Sequence, residues 1–181
     1  TLLWRTTADG DIYTAAAIDS AGRHYFATLN GTVYCLDTAG RIVWQRTLGG
    51  GFSSSPVLGP DGVLYLGGDD KRLHALNPSD GSTRWNYLLP DEVRATAPIV
   101  ASDGSVLLGC YDGQLYHFNS TGTLRRTYAT GHRIRSSPVL AGSRLYFGSN
   151  DGKLYALDLG LEAAASPWPM LQHNPRRLGR A

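Results

Sequence analysis

The chain repeats itself four times, and a fixed period near forty residues narrows the accessible architectures more than any other feature it carries. The segments TAAAIDSAGRHYFATLNGTVYCLDTAGRIVW, SSPVLGPDGVLYLGGDDKRLHALNPSDGSTRW, TAPIVASDGSVLLGCYDGQLYHFNSTGTLRR and SSPVLAGSRLYFGSNDGKLYALD align with almost no gaps. Ala16, Pro56, Pro98 and Pro138 form one column, spaced 40, 42 and 40 residues. Asn30, Asp70, Asp112 and Asp151 form a second column, and Leu36, Leu76, Phe118 and Leu157 a third.

Within each unit a turn signal arrives about every ten residues, the spacing of short antiparallel strands rather than helices. The second unit has Asp61-Gly62, Asp69-Asp70 and Asp80-Gly81; the third has Asp103-Gly104, Asp112-Gly113 and Thr121-Gly122. Gly, Asn and Asp suit such turns because the backbone there needs positive φ. Four strands per repeat follow. The strands are apolar on both faces: in LYAL, Leu154 and Ala156 point one way, Tyr155 and Leu157 the other. Such sheets must be covered on both sides, as stacked propeller blades are. A two-sheet sandwich shares the strand spacing but does not explain four copies. The fold class expected is therefore all-β, a β-propeller of four-stranded antiparallel blades. Four repeats per chain make either a four-bladed ring or an eight-bladed one as a dimer.

Trp44 and Trp85 each stand four residues after the last turn glycine of their repeat, Gly40 and Gly81, where a large aromatic staples one blade to the next. The third repeat has Arg126 there. The fourth repeat supplies only three strands, and TLLWRT at residues 1–6 resembles the missing fourth, so Trp4 is expected to dock in the last blade and leave no sheet edge unpaired. Trp168 is a rival for that place, but Pro167 and Pro169 flank it and remove backbone donors. The domain reading is a closing strand at 1–6, blades at about 12–46, 52–89, 93–129 and 133–158, and a C-terminal tail at 161–181. Closure is open to one chain or to two chains exchanging strands around a two-fold axis.

Composition excludes some classes of function. Lys and Arg number 17 against 15 Asp and Glu, and the surplus sits in the tail, where Arg176, Arg177 and Arg180 oppose Glu162. The balanced body lacks the basic stripe that nucleic acid requires. No apolar run reaches the roughly 18 residues of a membrane span. No secretory signal opens the chain; because it begins at Thr1, that absence decides little about compartment.

No catalytic set emerges. Cys35 and Cys110 lie in the first and third repeats, too far apart in a ring for a disulfide, and read as small buried hydrophobes. His24, His74, His117, His132 and His173 show no metal-binding spacing, with His74 and His117 placed inside strands as packing residues. Asp69, Asp70, Asp112 and Asp151 recur once per blade, so turn formation explains them better than calcium does. What remains is the loop entering each innermost strand: DIYTAA at 11–16, GFSSSP at 51–56, VRATAP at 93–98 and RIRSSP at 133–138. Variation on a repeated scaffold is where asymmetric binding arises. The ligand-binding candidates are Asp11, Tyr13, Arg94, Arg133 and Arg135, whose arginines suit a carboxylate or phosphate. The competing reading is that the arginines form ion pairs with Glu92 and Asp11.

The stretches LDTAGRIVW and ALNPSDGSTRW resemble the tryptophan-docking motif, Ala-x-Asp-x-x-x-Gly-x-x-x-Trp, of proteins built from pyrroloquinoline quinone (PQQ) enzyme repeats. Residues 75–85 fit its spacing with Asn77 for the aspartate, residues 35–44 are one shorter, and residues 117–126 lack the tryptophan. The tail PWPMLQHNPRRLG resembles a segment that flanks such repeats in bacterial proteins. The resemblance covers residues 1–158 and implies a quinoprotein-like propeller, commonly eight-bladed and exported to a periplasmic or secreted location. Such repeats serve quinone-dependent dehydrogenases, an outer-membrane assembly lipoprotein and sensor modules, and a shared fold does not choose among them. The dehydrogenases have an adjacent cysteine pair, an acidic base and a calcium site, none of which maps onto identifiable positions here. The expectation is a non-catalytic binding or assembly scaffold without cofactor, taking a protein or small-molecule ligand and working as a homodimer. A quinone-binding sensor and a fragment of a quinoprotein dehydrogenase are the alternatives.

Overall fold

The computed structural model describes residues 1–165, and among them all regular structure is β, in fifteen strands forming four antiparallel sheets. Trp168, the tail arginines and the rest of 166–181 lie outside the described residues. The first sheet runs β1 (Ala17–Ile18), β2 (His24–Ala27), β3 (Thr32–Leu36), β4 (Ile42–Thr47). The second is β5 (Val57–Leu58), β6 (Leu64–Gly67), β7 (Arg72–Leu76), β8 (Thr83–Leu88), and the third β9 (Ile99–Val100), β10 (Val106–Gly109), β11 (Gln114–Phe118), β12 (Leu124–Ala129). The fourth has three strands, β13 (Val139–Ala141), β14 (Arg144–Gly148) and β15 (Leu154–Asp158). Each sheet is an up-and-down meander. In the first three, the ladder between the outer two strands slips by one residue at the same place, between Cys35 and Leu36, Ala75 and Leu76, and His117 and Phe118. The repeat thus extends to its irregularities.

The sheets stack face to face, as their two-sided apolarity demands. Leu58, Leu64, Leu66 and Leu76 of the second sheet pack on Tyr25, Val33 and Cys35 of the first. The opposite face of the same sheet, carrying Val57, Tyr65, Leu73 and Ala75, packs on Val106, Leu108 and Phe118 of the third. Leu64 and Tyr65, adjacent in sequence, are both fully buried against different neighbours. A fully buried side chain of this kind contributes about 1.5–3 kcal/mol through burial. At the inner end, hydroxyl residues stitch successive blades. Ala15 N–H donates to Ser55 Oγ at 2.8 Å, Ser54 Oγ to Thr96 O at 2.5 Å, and Thr96 Oγ1 to Ser136 O at 3.1 Å.

The tryptophans lie at the outer end of these interfaces. Trp44 Nε1 donates to Pro78 O at 2.8 Å and Trp85 Nε1 to Ser120 O at 3.1 Å, each reaching the next blade. Their rings cover Gly81 and Gly122, both at positive φ, where a Cβ would overlap the indole. Both tryptophans are half-buried rather than enclosed. Arg126, at the equivalent place in the third blade, lies against Tyr128 of its own strand, its guanidinium 5.8 Å from the ring centroid.

Two expectations require correction. Residues 1–6 form no strand, and Trp4 does not enter the fourth blade of its own chain. It covers Gly40 and meets His24 edge-on at 5.5 Å, on the face of the first blade. No hydrogen bond joins the first blade to the fourth among the described residues, so the stack is an open arc in which an intrachain closing strand has nothing to bridge. The tail, in turn, begins inside the fold. Ser102 N–H donates to Glu162 O and Ala164 N–H to Val100 O, laying residues 162–164 along the third blade, where Ala164 is buried.

Candidate functional site

The loops entering the innermost strands gather on one end of the arc and enclose two cavities. One, of about 490 Å³, is lined by Tyr13, Leu29, Ser53, Asp69, Arg94, Tyr111 and Arg135; the other, of about 380 Å³, lies among Tyr13, Ala15, Ser55, Ala97 and Ser137. All four blades contribute. The position held by Ser53 in the second blade and Arg135 in the fourth follows a buried apolar anchor, Phe52 and Ile134, and precedes a hydroxyl residue, Ser54 and Ser136. The anchors are fixed by backbone bonds, Phe52 N–H to Thr28 O and Ile134 N–H to Cys110 O. The intervening side chain is therefore held over the axis.

The third blade breaks this spacing, with two residues, Arg94 and Ala95, between the anchor Val93 and Thr96. Val93 N–H binds Gly68 O, so the extra residue is absorbed downstream, and Ala95 takes φ of 56°. A non-glycine residue in the left-handed region costs roughly 1 kcal/mol, and such strain concentrates at functional loops. Arg94 stands beside it and makes two ion pairs, Nη2 to Asp69 at 3.1 Å and Nε to Glu92 at 2.8 Å. Burial lifts the Asp69 carboxyl above its ordinary value, against the pull of the Arg94 guanidinium. Ser53 Oγ and Asp69 Oδ1 are buried, and neither makes a hydrogen bond of good geometry among the described residues.

Arg133 and Arg135 are disposed differently. Both guanidiniums lie over the ring of Tyr111, at 5.1 and 5.7 Å from its centroid, and neither is paired with a carboxylate among the described residues. An aromatic face holds a cation with its hydrogen-bond donors free, leaving ten N–H groups in principle available to an incoming anion. Arg133 also borders a shallow cavity with His132, Asp91 and Asp112.

Of the residues expected from sequence, Tyr13, Arg94 and Arg135 meet at one cavity and Arg133 stands beside it. Asp11 does not join them. It is exposed, its carbonyl accepts from Leu29 N–H, and it forms no ion pair with an arginine among the described residues, where Arg94 pairs with Asp69 instead. Asp69 and Tyr111 are the residues that sequence reasoning passed over. The signal for Asp69 was there: the second repeat reads Asp69-Asp70-Lys71 where the others end in glycine, and Lys71 takes positive φ in its place.

The residues present do not fit a quinone with calcium. Cys35 and Cys110 are free, buried and in different blades, and the Cys110 thiol donates to Asp91 O. Burial pushes that thiol up to about 12, which leaves it protonated at neutral pH. The turn aspartates hold tyrosine hydroxyls of their own blades, Asp61 with Tyr65 at 3.0 Å and Asp151 with Tyr155 at 2.5 Å. Among the described residues no three His, Cys, Asp or Glu side chains assemble into a metal-binding group. His74 is buried with Nε2 at 3.0 Å from Asp70, a packing role. A further cavity of about 490 Å³ on the opposite end, between the first two blades, holds Arg23 and Arg84, but Arg23 is bound to Asp19 and Arg84 to Asn77.

A PQQ-repeat family model described as outer membrane protein assembly factor BamB matches residues 1–90 and 29–160. Among curated proteins, the chain is 29% identical to the outer membrane protein assembly factor BamB of Bordetella pertussis over 121 residues, 65% of this chain and 31% of that protein. It is 29% identical over 130 residues to the quinoprotein alcohol dehydrogenase PedH of Pseudomonas putida, 62% of this chain and 22% of the enzyme. The crystal structure of BamB from Moraxella catarrhalis superposes with a TM-score of 0.78 at 21% identity, over 88% of this chain and 53% of that one, which shows the propeller fold. The chain spans about a third of the curated BamB sequence it matches.

Proposed function

We propose, from the fact that the chain belongs to the PQQ-repeat family described as outer membrane protein assembly factor BamB, that it is a non-catalytic propeller scaffold. It binds an extended, carboxylate-bearing segment of a partner protein across its axial loops. The observation that carries this reading is the pair Arg133 and Arg135, set over Tyr111 without carboxylate partners among the described residues, beside a 490 Å³ cavity. Tyr13, 71% exposed at the rim of the same cavity, offers an aromatic surface of the kind that dominates protein interfaces. Arg94 plays a different part: its two carboxylates fix the loop that shapes the cavity, and it is not free for a ligand.

The scaffold works in an extracytoplasmic bacterial setting and as a pair of chains. It needs no cofactor, and the likeness to a quinoprotein dehydrogenase reflects the shared repeat, since no donor set for quinone and calcium assembles among the described residues. The test is calorimetric titration with a blocked hexaglutamate peptide, with hexalysine as control. The acidic peptide is expected to bind with an affinity that falls as salt rises, and Arg133→Gln/Arg135→Gln to weaken it at least about tenfold, the loss of roughly 1.4 kcal/mol. Equal binding by wild type and the double variant would remove the assignment.

A further inference from the structure

The chain entering each innermost strand carries two adjacent columns whose hydrogen bonding differs. In the first column stand Thr14, Ser54, Thr96 and Ser136, and every hydroxyl donates to a carbonyl: Thr14 Oγ1 to Ala27 O at 3.1 Å, Ser54 Oγ to Thr96 O at 2.5 Å, Thr96 Oγ1 to Ser136 O at 3.1 Å and Ser136 Oγ to Gly148 O at 2.9 Å. The next column alternates between Ala15, Ser55, Ala97 and Ser137, and all four line the 380 Å³ cavity. Each alanine donates its N–H to the serine of the following blade, Ala15 to Ser55 Oγ at 2.8 Å and Ala97 to Ser137 Oγ at 3.0 Å. The serines accept those bonds, but neither hydroxyl donates to an acceptor among the described residues.

The alternation leaves a third donor. The N–H of Ser55 stands in the same column as the two alanine N–H groups, but the following blade offers it Ala97, which has no hydroxyl, and it makes no hydrogen bond among the described residues. Polar groups at such a place call for partners, and here every group in want of one is a donor. A carboxylate supplies acceptors only, whereas an amide or a hydroxyl brings donors of its own that would find no acceptor on these serines. The lining contains no charged side chain. Tyr13, Ser53 and Ala95 line both this cavity and the 490 Å³ cavity that holds Arg135, so the two adjoin.

We propose that the 380 Å³ cavity is a second carboxylate subsite, in which Ser55 N–H, Ser55 Oγ and Ser137 Oγ hold the side-chain carboxylate of a glutamate from the same partner segment that lies on Arg133 and Arg135. The subsite rests on the axial reading above and deepens it: the segment carries two carboxylates, one met by cations and one by neutral donors. A hydrogen bond to an ionised acceptor is roughly twice as strong as one between neutral groups, so three neutral donors suffice to select it. Screening by salt acts on the arginines and spares a subsite that has no charge of its own. The alanines serve it too, since Ala15 and Ala97 leave the room that larger side chains would fill.

The experiment is calorimetric titration of blocked hexaglutamate into wild type, Ser55→Ala/Ser137→Ala and Arg133→Gln/Arg135→Gln at low and high salt. Alanine already occupies this column in the first and third blades, so the serine variant is expected to keep the wild-type circular dichroism spectrum. It is expected to bind about tenfold more weakly, as for the loss of two donors to a carboxylate, with the dependence of affinity on salt unchanged. The arginine variant is expected to flatten that dependence. In amide proton–nitrogen correlation spectra of wild type, the signals of Ala15, Ser55 and Ala97 are expected to move as the peptide is added, with the Ser55 proton shifting downfield. Equal binding by wild type and the serine variant, or three unmoved signals, would mean that the serines hold water only; that overturns the subsite and leaves the arginine site standing. Absence of binding by wild type overturns both.

Discussion

Replacing Gly122 by alanine isolates what the tryptophan staple contributes. Gly122 has φ of 83°, and a Cβ there would stand 2.6 Å from Trp85 Cδ2 and 2.7 Å from Cε3. The left-handed backbone alone costs an L-residue about 1 kcal/mol. The overlap also forces the indole outward by about 1 Å, since carbon atoms pack at about 3.5–4.0 Å. Moving the ring breaks the 3.1 Å bond from Nε1 to Ser120 O, about 1 kcal/mol, and loosens its contacts with Tyr65 at 5.7 Å and Phe118 at 6.5 Å, about another 1 kcal/mol. Gly122→Ala is therefore expected to lose about 3 kcal/mol in total. Gly62 is the control, because it has φ of 69° and nothing within 4 Å of its hypothetical Cβ, so Gly62→Ala carries only the backbone cost, about 1 kcal/mol. In thermal unfolding followed by circular dichroism the two variants should differ by about 4–8 °C for a chain of this size. In a Trp85→Ala background the excess cost of Gly122→Ala should vanish, a coupling of about 2 kcal/mol. Equal losses for the two glycines, or additivity with Trp85→Ala, would refute the docking role.

Three further outcomes follow from individual residues. Ala95→Gly relieves the positive φ and should stabilise the chain by up to about 1 kcal/mol, read from urea unfolding; a loss of stability would show that the methyl group packs rather than strains. Burial alone would raise the Asp19 carboxyl, but the Arg23 backbone N–H, the Tyr25 hydroxyl and the Arg23 guanidinium together hold it below 3.8. A depressed folded-state value means stability that is present above that pH and lost as pH falls through it, so Asp19→Asn should flatten the acid limb of a stability profile below pH 4, and an unchanged limb would contradict the assignment. Cys35 and Cys110 should resist a thiol-directed colorimetric reagent in the native state and react together on unfolding, since burial raises both thiols; rapid native labelling of either would contradict their enclosure.

Much of the fold was legible because the repeat carries its own instructions. Turn residues at fixed offsets, a two-residue alternation that is apolar on both faces, and a tryptophan on the outer strand of the first two repeats are local signals, each written in consecutive residues. The axial loops were legible for a related reason: four aligned segments show where the pattern is held and where it varies, which pointed to Tyr13, Arg94, Arg133 and Arg135. Asp11 shares that alignment yet does not line the cavity, because alignment reports a residue's place in the chain and not the direction of its side chain. The pairing of Arg94 with Asp69 was not legible, since the two are 25 positions apart on different blades and Asp69 looked like one turn aspartate among several.

The amino-acid order by itself determined the strands, their turns, their grouping into blades and the set of groups available for binding, because each depends on neighbours within a few residues or on the period. Tertiary structure alone decided which arginines are spent on carboxylates and which rest on Tyr111, where Trp4 docks, and that Leu154 is exposed where Leu73 is enclosed. Those outcomes depend on the curvature of the stack, which sums small rotations at three interfaces and brings residues from all four blades to one axis. No local signal encodes that sum: Val139, Tyr146, Leu154 and Ala156 match Val57, Tyr65, Leu73 and Ala75 in residue type, yet Leu154 is 77% exposed where Leu73 is fully buried.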